Sequence, residues 1–169
     1  MWRCSQLKAE KLFVQELRTQ ACFAIRCFDE FSRALECEDV DSVFYHAHHY
    51  LVHAASIDKM FATSSKKGHP CGTPLAKLLA CSNMDLKHFR RLRNHLEHFD
   101  ERLAAWVKEF PGYPIFDMNI VTGTVGFPAR AFLRAMDGHI FKFQGEEYDL
   151  DSLNSEISKL LVAIDAIVS

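Results

Sequence analysis

Val14, Leu17, Ala21, Ala24, Phe28, Phe31 and Leu35 alternate spacings of three and four without a break. That period places one apolar face on a helix, which the pattern predicts from roughly residue 5 to 37. A second seam, Val43, Ala47, Tyr50, Ala54, Ile57 and Phe61, keeps the same rhythm behind a cap at Asp39 or Asp41. Residues 64–74, SSKKGHPCGTP, hold two prolines and two glycines and predict a loop. A short helix fits Leu75 to Ala80. Asn83 or Asp85 then opens another long helix. Its apolar side centres on Leu92, Leu96, Leu103 and Phe110, flanked by Phe89, Phe99, Trp106 and Val107, and it stops at Pro111-Gly112.

The pattern then changes period. IFDMNIV, ARAFLRAM and HIFKF are short and rich in β-branched or aromatic residues, and Asp137-Gly138 is a hairpin signal. The expectation is a small antiparallel meander over about 114–144. Leu150 to Val168 returns to helix, capped near Asp151 or Ser152, with Leu153, Ile157, Leu160, Leu161 and Ile164 inward. Tyr148 in GEEYDL would anchor the meander to that helix. The predicted fold class is mainly α. It is an antiparallel bundle of four to five helices with a small β meander inserted before the C-terminal helix, all in one domain spanning residues 1–169.

Composition narrows the functions open to such a bundle. The 169 residues are 49% hydrophobic and carry a formal net charge of −2, which gives no general footprint for nucleic acid. The six cysteines form no CxxC pair, so neither a zinc ribbon nor a thioredoxin motif is present. Cys22, Cys27 and Cys37 fall within the first helical pattern as ordinary filling. The opening MWRCSQLKAEK has no apolar signal-like run, and no apolar stretch reaches membrane-spanning length. With free thiols, this predicts a cytoplasmic protein without a membrane partner. GxGxxG, GxxxxGK[ST] and GxSxG are absent, which argues against Rossmann, P-loop and α/β-hydrolase chemistry.

The densest chemistry lies in RRLRNHLEHFDERL, residues 90–103, with four arginines, two histidines, an asparagine and three acids. At 100° per residue, Arg90, Asn94, Glu97 and Glu101 oppose the apolar face. Arg93 and His98 lie on either edge of that stripe, roughly 140° apart around the axis and roughly 7.5 Å along it. Asn94 and His98 are an i, i+4 pair, and His95, nearer the apolar side, is expected to be partly buried. A solvated face stitched by pairs such as Arg93–Glu97 would use the same letters. Arginine and asparagine in place of lysine, with two histidines so close, point instead to a site for anions and proton transfer.

Arg93-Asn94-His95-Leu96-Glu97-His98 resembles the R-x4-6-H motif of HEPN domains (higher eukaryotes and prokaryotes nucleotide-binding), in which a polar residue, often Asn, follows the Arg. The order of long helices resembles that family too, over about residues 5–110 and the last helix. Arg90 and His95 form a second R-x4-H in the same helix. The resemblance implies a metal-independent endoribonuclease without a cofactor, in which two copies of the motif meet across a two-fold axis. Arg93, Asn94 and His98 would then be catalytic, and Arg90 and Glu97 substrate-binding. His98 would move protons near neutral pH, Arg93 would hold the phosphorane charge, and Asn94 would orient the imidazole or the phosphate. Implied partners are a second copy, RNA, and an antitoxin or nucleotidyltransferase of a toxin–antitoxin or defence pair. A non-catalytic interaction module of the same fold is the alternative.

The second helix adds YHAHHYLVHAASID, in which His46, His49 and His53 share one stripe while His48 points elsewhere. Such a stripe could ligate a transition metal with a carboxylate from a neighbour, could be a half-buried boundary, or could approach Arg93 and His98. Three ligands on one straight helix cover roughly 10 Å of rise, which argues against a single ion. His69 and Cys71 offer a ligand pair with no second pair to match.

Overall fold

A computed structural model of the chain describes residues 2–64, 87–109, 116–123 and 128–168. Five helices lie among them: α1 Trp2–Glu36, α2 Val40–Ser64, α3 Lys87–Glu97, α4 Phe99–Glu109 and α5 Leu150–Val168. Between α4 and α5 come four strands, β1 Asn119–Ile120, β2 Arg134–Asp137, β3 Ile140–Phe143 and β4 Glu146–Asp149, and a 3-10 turn, Ala129–Ala131. The predicted loop at 64–74 (from residue 65 on), the short helix at 75–80 and the Pro111-Gly112 stop lie outside the described residues.

The mainly α fold follows from the two long seams. Leu17, Ala21, Ala24, Phe28 and Phe31 of α1 and Val43, Ala47, Tyr50, Ala54 and Ile57 of α2 are buried against one another. The alanines let the two helices approach closely. Their turn is a Schellman motif: Glu38, at φ 54°, follows the last turn of α1, and the Asp39 amide donates to the Ala34 carbonyl at 3.0 Å. Asp39 then caps α2, its carboxylate accepting from the Ser42 amide and hydroxyl at 3.2 and 2.7 Å. α5 closes the bundle against α1 with Leu153, Ile157, Leu160 and Ile164 inward and Leu161 at the margin.

Three expectations need correction. The α5 cap is Asp149, which accepts from the Ser152 amide at 3.0 Å, because β4 runs straight into the helix. The sheet is not wholly antiparallel. Its order is β1-β2-β3-β4, with β1 parallel to β2 across a connection that contains the 3-10 turn. It also extends to Asp149, since EEYD forms a strand with only Tyr148 buried. The hairpin at Asp137-Gly138 is present, Gly138 taking φ 55° beside the Asp137–Ile140 pair. The second turn uses Gln144 and Gly145 at φ 49° and 85°.

The third correction concerns the charged helix. It divides at His98 into α3 and α4, although His98 N still donates to Asn94 O and Arg102 N to His98 O, both at 3.1 Å. Leu92 and Trp106 are buried, but Leu103, expected at the centre of the apolar face, is 38% exposed. Beyond the break, α4 turns Phe99, Arg102 and Trp106 toward the sheet. Trp106 Nε1 donates to the Arg130 carbonyl at 2.9 Å, and the Gln144 amide lies 3.4 Å from the Arg102 carbonyl. These contacts rotate Leu103 outward.

Candidate functional site

Arg93 reaches from α3 toward α2, where a cavity of about 160 Å³ opens between the helices. Arg93, Leu96 and Glu97 line it from α3, and His48, Ser56 and Lys59 are among the residues lining it from α2. The Arg93 side chain is only 18% exposed. Its Nη2 donates to Asn94 Oδ1 at 3.2 Å and pairs with Glu97 Oε2 at 3.2 Å, while Lys59 Nζ stands 3.5 Å from Glu97 Oε1. Arg93 Nε is buried with no hydrogen-bond partner among the described residues. A buried guanidinium N–H left without an acceptor is costly, and an anionic ligand would supply one.

The other motif residues go elsewhere. His98 stands at the break between α3 and α4, 55% exposed, with Nδ1 4.0 Å from Glu101 Oε1. Asn94 gives its side-chain oxygen to Arg93, so it orients the arginine. Arg90 makes a two-pronged bond to Asp58 on α2, at 2.7 and 2.6 Å, with Asp58 largely buried. His95 turns to the opposite side and stacks on Phe143 of β3, ring centroids 4.9 Å apart and 14° between planes. The Arg90/His95 pair is therefore split between two surfaces. Arg93 and Glu97 share the α2–α3 cavity, and His98 is not part of its lining.

The histidines of α2 also separate. His53 Nδ1 lies 2.8 Å from Gln20 Oε1 on α1, and its ring meets Phe23 at 5.3 Å. His49 Nδ1 lies 2.8 Å from the Tyr45 carbonyl, and His46 packs on the Tyr45 ring at 5.1 Å. Among the described residues, no three His, Cys, Asp or Glu side chains are placed to share a metal ion. The α2 histidine that shares the cavity with Arg93 is His48, which lies off the stripe of His46, His49 and His53. Its signal was available: His48 and Lys59, eleven residues apart, fall on one helical face. His69 and Cys71 lie outside the described residues.

Burial holds three imidazoles below the ordinary histidine value. His48 is lowered further by His49 and Arg134, and His53 by His49. His95 is lowered by burial, then by Arg102 and Arg91, against an opposing pull from Glu146. In the unfolded chain each takes a proton near pH ~6.5, while the folded chain resists until lower pH. Stability is therefore fully present above about pH 6.5 and is lost as pH falls through the folded values. The urea midpoint should be lower at about pH 5.5 than at about pH 7.5. An unchanged midpoint would mean that these rings protonate as readily folded as unfolded.

No family model, curated protein or solved structure matches the chain. Among the described residues, no helix is long and apolar enough to cross a membrane.

Proposed function

We propose that the chain is a HEPN-like, metal-independent endoribonuclease of the toxin or defence type, acting as a homodimer on single-stranded RNA. The observation that carries this reading is the division of the motif. Arg93 is sunk between α2 and α3 with an unanswered N–H, and His98 stands exposed at the α3–α4 break. One copy offers Arg93 as a phosphate ligand, with His48 in the same cavity but without the motif's own His98 beside it. A second copy, turned about a two-fold axis, brings its own His98 to the first copy's Arg93.

In such a site, one His98 takes the proton of the ribose 2′-hydroxyl as its oxygen attacks phosphorus. The Arg93 guanidinium holds the charge that develops on the phosphorane oxygens. The bond to the 5′-oxygen breaks, and that oxygen leaves with a proton from water, to which the His98 imidazolium then returns its own, so one Arg93 and one His98 serve each site. The products are a 2′,3′-cyclic phosphate and a 5′-hydroxyl. Lys59 adds positive charge at the mouth of the cavity, and Asn94 fixes the Arg93 fork.

A second reading has its own support. Arg93–Glu97–Lys59 and Arg90–Asp58 are paired internally, as suits an interaction surface whose partner is an antitoxin or nucleotidyltransferase. Incubation with single-stranded RNA in EDTA separates the two. The expected result is cleavage to cyclic phosphate ends by the native chain and none by a folded His98→Ala chain. If neither cuts, the nuclease reading fails and the interaction module stands.

A further inference from the structure

Arg91, His95 and Arg102 recur at i, i+4 and i+11, so a single helical face would carry all three. This face is turned away from Arg93 and toward the β3–β4 turn. There Arg91, His95, Arg130, Phe143, Gln144 and Glu146, with the bare backbone of Gly145, line a surface pocket of about 440 Å³. The volume is that of an ordinary small-ligand site.

Its polar groups are arranged around one carboxylate. Glu146 pairs with the Arg91 guanidinium, lies 4.0 Å from His95 Nε2, and accepts the Tyr148 hydroxyl at 2.7 Å. Arg130 enters from the 3-10 turn, 61% exposed, and is tied to Glu109 at 3.0 Å. Behind this front, His95 Nδ1 and Arg102 Nε are buried with no hydrogen-bond partner among the described residues. Three guanidiniums and an imidazole thus gather in a chain whose formal net charge is −2. Glu146 occupies the Arg91 guanidinium that an external anion would take.

We infer that this pocket binds a phosphate group, carried by a free nucleotide or by an RNA strand, with Arg91 and Arg130 as its ligands and Glu146 as the internal group it displaces. Arg91 is 64% exposed, so its bond to Glu146 is worth little in water and exchanges readily. A phosphate offers the same guanidinium several oxygens and more charge. The inference does not depend on RNA cleavage, because its ligands are neither Arg93 nor His98.

The test is calorimetric titration of the full chain, at low salt, with inorganic phosphate, adenosine 5′-monophosphate and a short single-stranded RNA. Arg91→Ala and Arg130→Ala should each weaken binding by about tenfold or more, as loss of a charge-assisted bond requires. Glu146→Gln should tighten it several-fold, since the competing charge is gone. Arg33→Ala, at an exposed pair on α1, serves as the charge control and should leave affinity unchanged. Opposite shifts in two variants of one pocket cannot come from misfolding, and circular dichroism verifies the fold of each. Nucleotide as tight as RNA identifies a small-molecule site, and RNA at least tenfold tighter identifies a strand-binding site. No binding of any probe to about 10 mM overturns the inference. So does equal affinity in the native, Arg91→Ala and Glu146→Gln chains.

Discussion

An equimolar mixture of Arg93→Ala and His98→Ala chains, refolded together, recovers about a quarter of the native RNA-cleaving rate, because random pairing makes half the dimers mixed. Each variant alone is expected to lose roughly two to four orders of magnitude, the usual contribution of a positioned proton-transfer group or of an oxyanion ligand. The recovery depends on where the two groups sit. Arg93 faces α2, and His98 stands at the exposed break between α3 and α4. If each site takes Arg93 from one copy and His98 from the other, a mixed dimer holds one site with both groups and one with neither. Half the dimers with one site in two gives the quarter. If each copy used its own pair, every site in the mixture would lack one group and nothing would be recovered. Initial rates on a fluorogenic single-stranded RNA in EDTA read the difference. A mixture as inactive as its components would refute the shared site, even if the native chain proved to be a nuclease.

The bundle was legible because long helices repeat their signal. The seven-position seam of α1 and the six-position seam of α2 give the period many chances to show, and the buried Leu17, Phe31, Val43 and Ile57 follow it. The break at His98 was not legible. RRLRNHLEHFDERL contains neither Gly nor Pro, and the interruption accompanies the docking of Arg102 and Trp106 on the β3–β4 turn and the 3-10 turn. β4 escaped because GEEYD has a single apolar residue, so a strand held by its neighbour carries almost no alternation. The parallel β1 is two residues long, too short for any period. For the site, the α3 side could be read from the sequence, since Arg93 and Glu97 are an i, i+4 pair. His48, Ser56 and Lys59 belong to the polar side of α2, where periodicity says only that a residue is not core. Which polar residues meet Arg93 depends on how α3 docks, and that is tertiary information.

The largest stability effect is expected from Phe31→Ala, a loss of about 3–5 kcal/mol, as for other buried phenylalanines truncated in a core that cannot collapse around the gap. Phe31 is fully buried on α1, with ring centroids 5.7 Å from Phe28 and 5.3 Å from His139. His139 in turn lies 2.7 Å from Asp151 at the start of α5 and 3.5 Å from the Ser32 hydroxyl. Removing the ring therefore empties the junction of α1, the β2–β3 turn and α5. A domain of ordinary stability has about 5–15 kcal/mol in all, so this one change takes a large share. Urea denaturation should show a lower midpoint at nearly the same slope, while Leu12→Ala, 65% exposed on the same helix, stays within about 0.5 kcal/mol of native. A Phe31→Ala loss below about 1 kcal/mol would mean that the junction repacks and is not rigid. Among the described residues, the α2–α3 cavity is lined from those two helices. Activity per folded molecule should then remain native below the lowered midpoint, which separates a variant that weakens the core from one that disables the site.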